Sequence, residues 1–171
     1  MTHDELVNLI RAGVRSTGGT WADFGAGDGN FTRALRELVG DAATLYALDK
    51  DRHALNGQPR DVKTVVADFT QALPALPLFD GLLVANALHF VRWNQAEAFA
   101  RIAKTLTAGG TFLIVEYETS SGHPVWVPNP IPFAKFSHMA AQLGWTEIEQ
   151  VGVRESPRDG HKMYAARAVV G

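Results

Sequence analysis

Apolar residues along this chain repeat with a helical period in some segments and run continuously in others, and the two kinds of segment alternate. Leu6, Leu9, Ile10 and Val14 share one helical face behind Thr2 and Glu5, a pair that reads as a capping box. A short apolar run, 21–24, then enters a glycine-rich turn. Phe31, Ala34, Leu35 and Leu38 resume the helical period, with Gly40 placed to end it. Residues 43–48 predict a second strand ending at Asp49, a short helix follows over 52–56, and 62–67 predict a third strand ending at Asp68. The proline-bearing segment 73–78 reads as a loop or broken helix. Residues 81–85 are wholly apolar, as expected of a strand buried on both faces.

The second half continues the alternation. Asn94 and Glu97 are placed to cap a helix whose Phe99, Ile102, Ala103 and Leu106 face inward, and Gly109-Gly110 closes it before a fifth strand, 111–115. A loop rich in proline and tryptophan, 120–132, enters a helix carrying Phe133, Phe136 and Leu143 and stopped by Gly144. Strands over 146–153 and 162–169 flank Asp159-Gly160, a hairpin signal. Strands alternating with helices predict an α/β fold, a doubly wound parallel sheet with helices on both faces and an antiparallel hairpin at its end. No repeat, low-complexity tract or linker interrupts the 171 residues, so residues 1–171 read as a single domain.

Composition removes several function classes. The chain is 46% hydrophobic and 20% charged with a net charge of −2, ordinary values for a soluble protein. Its lysines and arginines are scattered, which argues against a nucleic-acid partner, since such binding rests on phosphate neutralisation. With no cysteine there is no disulfide, no thiolate nucleophile and no cysteine metal site. No signal-peptide pattern or apolar stretch of bilayer length is present, so the expectation is a cytoplasmic protein without a membrane partner.

The chemistry concentrates in Asp23-Phe-Gly-Ala-Gly-Asp-Gly29. Its glycines allow a sharp turn and close approach of backbone to a ligand. Asp23 and Asp28 would repel the pyrophosphate of a dinucleotide but suit the cationic amine and sulfonium of S-adenosylmethionine. The spacing is G-x-G-x-G, with Asn30 where the dinucleotide fingerprint has its third glycine. A glycine turn without a ligand is the plain alternative. Asp49 reads either as an acceptor for two ribose hydroxyls or as a loop residue capping the next helix. Asp68 reads either as an acceptor for an adenine amine, with Phe69 packing on the ring, or as a simple loop residue.

The chain resembles the class I S-adenosylmethionine-dependent methyltransferases along nearly its full length. Asp23 to Gly29 looks like that family's glycine motif, Asp49 like its ribose-binding acid and Asp68-Phe69 like its adenine contact. Residues 79–86 and 106–110 resemble the fourth-strand motif and the turn before the fifth strand. The resemblance implies a Rossmann-like seven-stranded sheet, its last strand inserted antiparallel. It also implies S-adenosyl-L-methionine as cofactor, held by Asp23, Gly25, Ala26, Gly27, Asp49, Lys50, Asp68, Phe69, Asn86 and Ala87. Metal-dependent O-methyltransferases resemble one another in an acid at the end of the fourth strand. Here Ala85-Asn86-Ala87 stands there, so no metal is expected.

Methyl transfer from a sulfonium needs an aligned acceptor, and a base where the acceptor starts protonated. His89, just past the fourth strand, reads either as that base or as a histidine packed beside Phe90. Tyr117, with Glu116 and Glu118, ends the fifth strand and reads as an acceptor-pocket residue; His123, Trp126 and Phe133 furnish the loop that follows. Asn129-Pro130-Ile131-Pro132 resembles the Asn-Pro-Pro-aromatic motif of amino methyltransferases but follows the fifth strand instead of the fourth, so it reads as a helix entry. The expected acceptor is a small molecule. A methyltransferase-like module that binds without catalysing is the alternative.

Overall fold

A computed structural model describes residues 1–155 and 162–171. In chain order the elements are α1 (His3–Ile10), β1 (Thr20–Phe24), α2 (Asn30–Val39), β2 (Thr44–Asp49), β3 (Lys63–Val66), β4 (Phe79–Ala85), α3 (Gln95–Ala103), β5 (Leu106–Tyr117), α4 (Phe133–Gln142), β6 (Thr146–Glu155) and β7 (Lys162–Val169). The strands form one sheet of seven in the order β3-β2-β1-β4-β5-β7-β6. The β1–β2, β2–β3, β1–β4 and β4–β5 pairs are parallel, and β7 lies antiparallel between β5 and β6. The expected mixed sheet with an antiparallel terminal hairpin is therefore present. Its expected turn, Asp159-Gly160, lies outside the described residues.

The pleat sorts the central strands between two cores. In β4 and β5, Leu82, Val84, Phe112 and Ile114 join Phe99, Ile102 and Phe136 of α3 and α4 on one face. Leu83, Leu113 and Val115 join Leu6, Ile10 and Leu35 of α1 and α2 on the other. Successive strand residues point to opposite faces, so a strand covered on both must be apolar throughout. Helix α1 starts at the expected capping box, with Thr2 accepting from the Glu5 amide and Glu5 accepting from the Thr2 amide.

Five local expectations shift. The short helix expected around 52–56 forms as a 3-10 helix over Ala54–Gly57. Asn94 precedes α3 but makes no side-chain capping bond, and its backbone is left-handed at φ 59°. Gly109-Gly110 does not end α3, which stops at Ala103; the pair sits inside β5, where the pairing with β4 shifts register between Phe79 and Gly81. Leu106 begins that strand instead of facing inward from the helix. Leu143 caps α4 and is exposed, and Met139 and Ala140 fill the core in its place.

Candidate functional site

The strand order reverses between β1 and β4, and a parallel sheet opens a crevice beyond its carboxyl ends at such a switch. Two cavities of about 290 and 560 Å³ adjoin there and share Gly25, Gly27 and Asn86. The smaller is lined also by Asp23, Ala26 and Asp28. The larger is lined by Asp49, Lys50, Asp68, Phe69 and Ala87, with Thr70, Phe90 and Val91. All ten residues expected at the cofactor thus face one crevice.

Backbone geometry explains the glycines. Gly25 has φ +76°, and a Cβ on it would stand 2.5 Å from that of Ala87. The segments leaving β1 and β4 therefore touch only because this side chain is absent. Gly27 has φ +51° and meets open space, the crevice itself. The amides of Gly25 and Ala26 donate to the Leu48 carbonyl at 2.8 and 3.0 Å, which ties the turn to β2.

Asp49 starts its loop and also reaches the glycine turn. Its Oδ2 accepts from the Gly27 amide and its Oδ1 from the Asp51 amide, each at 2.9 Å. Each carboxylate oxygen keeps a further acceptor site. One side chain thus braces the glycine turn and faces the larger cavity.

Asp23 is buried at the end of β1, where Thr32 of α2 donates to its Oδ2 at 2.6 Å and its Oδ1 has no partner. Burial pushes its carboxyl up to about 7, against the Thr32 bond and with help from the Asp49 charge. Asn86, after β4, is left-handed at φ 50°, and its buried Oδ1 also lacks a partner. Such strain in a non-glycine residue clusters at functional sites. Both residues line the smaller cavity, and two buried acceptor oxygens without a partner among the described residues suit a cationic donor such as a primary ammonium.

Asp68 accepts from the Thr70 amide and hydroxyl at 2.9 and 2.7 Å. Burial opposes its ionisation, but the Thr70 bonds and the charges of Lys50 and Arg101 hold its carboxyl below the ordinary value. Thr70, two residues beyond an aspartate, was legible as an Asx-type pairing. Gln58, whose Nε2 donates to the Gly27 carbonyl at 2.9 Å, carried no sequence signal.

At the ends of β4 and β5, His89 and Glu116 are both buried. Glu116 Oε2 lies 2.5 Å from His89 Nδ1, and its Oε1 accepts from the His89 amide at 3.2 Å. His89 Nε2 has no hydrogen-bond partner among the described residues. The ring packs beside Phe90 at 4.3 Å and Tyr117 at 6.0 Å between centroids. Asn129 donates to the His89 carbonyl through its amide and side chain, so His89, Tyr117 and the 120–132 segment do meet. His123 instead serves its own loop, with its Nδ1 accepting from the Val125 and Trp126 amides.

This sheet order, with an acidic glycine cradle at the β1–β4 switch, defines a class I S-adenosylmethionine-dependent methyltransferase fold. A family described as a methyltransferase domain matches residues 22–114, more than half of the chain. The chain belongs to that family, and its cofactor is S-adenosylmethionine. No curated protein matches the sequence. Among solved structures, it is similar to the 1,6-didemethyltoxoflavin-N1-methyltransferase of Burkholderia thailandensis, which holds 1,6-didemethyltoxoflavin and S-adenosylhomocysteine. That match has 19% identity and a TM-score of 0.73, covering 98% of this chain and 77% of that one. It is also similar to the N-methyltransferase NodS of Bradyrhizobium japonicum with S-adenosylhomocysteine, at 17% identity and a TM-score of 0.72, covering 98% and 85%. A cyclopropane-fatty-acyl-phospholipid synthase-like protein of Lactobacillus casei gives 13% identity and a TM-score of 0.77, covering 98% and 90%. At such identities these likenesses establish the fold.

Proposed function

We propose that residues 1–171 act as a single cytoplasmic domain that transfers a methyl group from S-adenosylmethionine to a small-molecule acceptor. The observation that carries the reading is that Asp23 and Asn86, whose buried Oδ1 atoms lack hydrogen-bond partners among the described residues, line a crevice whose other end carries Asp49 and Asp68. In this reading Asp23 and Asn86 accept from the donor's ammonium, and Asp49 accepts from the ribose hydroxyls. Asp68 accepts from the adenine amine while Phe69 packs on its ring. Gly25, Ala26, Gly27 and Ala87 give the backbone close approach, and Lys50 walls the adenosine half. When bound, the donor supplies a methyl group already activated on a sulfonium. The chain has only to orient the acceptor, exclude water and receive a proton where one is released.

His89 is assigned the proton, with Tyr117 beside it in the acceptor wall. A base needs one nitrogen held to fix the ring and one free to accept, and Glu116 supplies the first condition. The burial of the ring favours a second role for this residue, a tie between the ends of β4 and β5. Glu116→Gln separates the two roles. As base orienter, the substitution should lower turnover at least about tenfold and shift the pH limb of kcat/KM downward. As tie, it lowers the thermal midpoint and leaves the pH profile in place.

Support for a small acceptor comes from the scattered basic residues and from the Burkholderia thailandensis protein, which was crystallised with one. A labelled-donor assay across a metabolite library tests the reading. Methyl transfer to a compound in the library is the expected result. Donor binding without transfer to any compound, or tight and salt-sensitive binding to RNA, contradicts it.

A further inference from the structure

Beyond the cofactor crevice, Phe90 and Val91 lead into a cavity that also takes in Arg92 and Asn94. These two residues in turn line a larger, open cavity of about 620 Å³ between residues 92–95 and the 120–135 segment. Its charge is the reverse of the crevice's. The crevice holds Asp23, Asp28, Asp49 and Asp68 against one cation, Lys50, whereas this lining holds Arg92 and Lys135 and no carboxylate. Neither cation forms an ion pair among the described residues, although the Glu116 charge acts on Lys135. Arg92 makes no hydrogen bond or ion pair among the described residues. Lys135 donates only to neutral oxygens, Gln95 Oε1 at 2.5 Å and the Pro130 carbonyl at 3.2 Å. By contrast Arg11, Arg15, Arg36, Arg154 and Arg167 each meet a carboxylate.

Lys135 is also held in place. Gln95 is fixed by its own Nε2, which donates to the Leu88 and Asn129 carbonyls at 3.1 and 2.8 Å, so its Oε1 presents a set acceptor to the ammonium. Two of the three ammonium donors are used, and one remains for a ligand. Two like charges facing one cavity repel unless an anion joins them, and a guanidinium fork with an ammonium suits a carboxylate or phosphate. Burial of Lys135 lowers its pKa, with the Glu116 charge opposing, and an arriving anion would oppose that lowering as well.

We propose that the methyl acceptor carries an anionic group, a carboxylate or phosphate, which Arg92 and Lys135 bind in the cavity between residues 92–95 and the 120–135 segment. The proposal rests on the acceptor reading above and narrows its substrate class.

The test is a titration of isotopically labelled protein followed by amide resonances, first with S-adenosylhomocysteine and then with benzoate, phenyl phosphate or neutral benzamide. Benzoate or phenyl phosphate should shift residues 92–95 and 129–135 saturably, with benzamide at least about tenfold weaker. Arg92→Met and Lys135→Met should each weaken the anion about tenfold and leave S-adenosylhomocysteine affinity unchanged. Arg92→Glu, at a residue with no partner to lose, should abolish anion binding and keeps the test decisive where Lys135→Met perturbs its two hydrogen bonds. Absence of saturable shifts with both anions, or equal anion affinity in wild type and Arg92→Glu, overturns the proposal. The two readings fail separately. Loss of the S-adenosylhomocysteine step contradicts the cofactor reading, and the anion arm is then read on the free protein.

Discussion

Asp23 is a carboxyl placed where only a bound cation lets it ionise without cost. In the free protein burial raises its pKa from 3.8 to about 7. A carboxyl with a raised folded value binds more protons folded than unfolded between those pH values, so it favours folding at low pH. That advantage is lost as pH rises toward the folded value. The stability of wild type relative to Asp23→Asn should therefore decline from about pH 4 to about pH 7 and level off above. Chemical denaturation across that range measures it, and a flat difference would remove Asp23 from the account. Ligand binding should run the other way. An ammonium against Asp23 selects the carboxylate, so S-adenosylmethionine affinity should rise with pH between about 5.5 and 7, by at most about tenfold per unit. Asp23→Asn should abolish the slope, as read by calorimetry in buffers of different ionisation enthalpy.

At the scale of elements, the crevice exists because the segments after β1 and β4 lie in contact. Gly25→Ala would put a methyl group 2.5 Å from Ala87 Cβ at a left-handed position. It should cost about 1–3 kcal/mol of stability and also weaken the cofactor site, because the turn must move. Thermal unfolding and calorimetry on the same variant check both, and an unperturbed midpoint would contradict the packing argument. Much of this framework was legible beforehand, since strand ends and the residues just past them are fixed by apolar runs and by the turn chemistry that stops them. Asp23, Asp49, Asp68 and Asn86 were found that way. What escaped depended on partners distant in sequence. Gly109-Gly110 reads locally as a helix stop, yet it lies in the register shift of β5 against β4 and exchanges backbone hydrogen bonds with Val170, 60 residues on. Gln58 reaches Gly27 across 31 residues. The pairing of His89 with Glu116 joins two strand ends that no local pattern connects.

Across the whole molecule, charge is divided along the carboxyl edge of the sheet. Acids gather at the β1–β4 switch and unpaired cations on the far side of residues 90–94. A cationic donor and an anionic acceptor would thus be sorted to opposite sides before they meet. Because the donor crevice is assembled from the ends of four strands, ligand there should also stabilise the fold. Saturation with S-adenosylhomocysteine at a hundredfold over Kd should add about 2.7 kcal/mol. Asp49 is the residue on which this arrangement converges, since it braces the glycine turn and faces the larger cavity. Calorimetric titration of S-adenosylhomocysteine into wild type and Asp49→Ala tests the central claim most directly. The account predicts one site in wild type, and in a variant that remains folded an affinity about ten- to a hundredfold weaker. Equal affinities in the two folded proteins, or tighter binding of NAD than of S-adenosylhomocysteine to wild type, would contradict it.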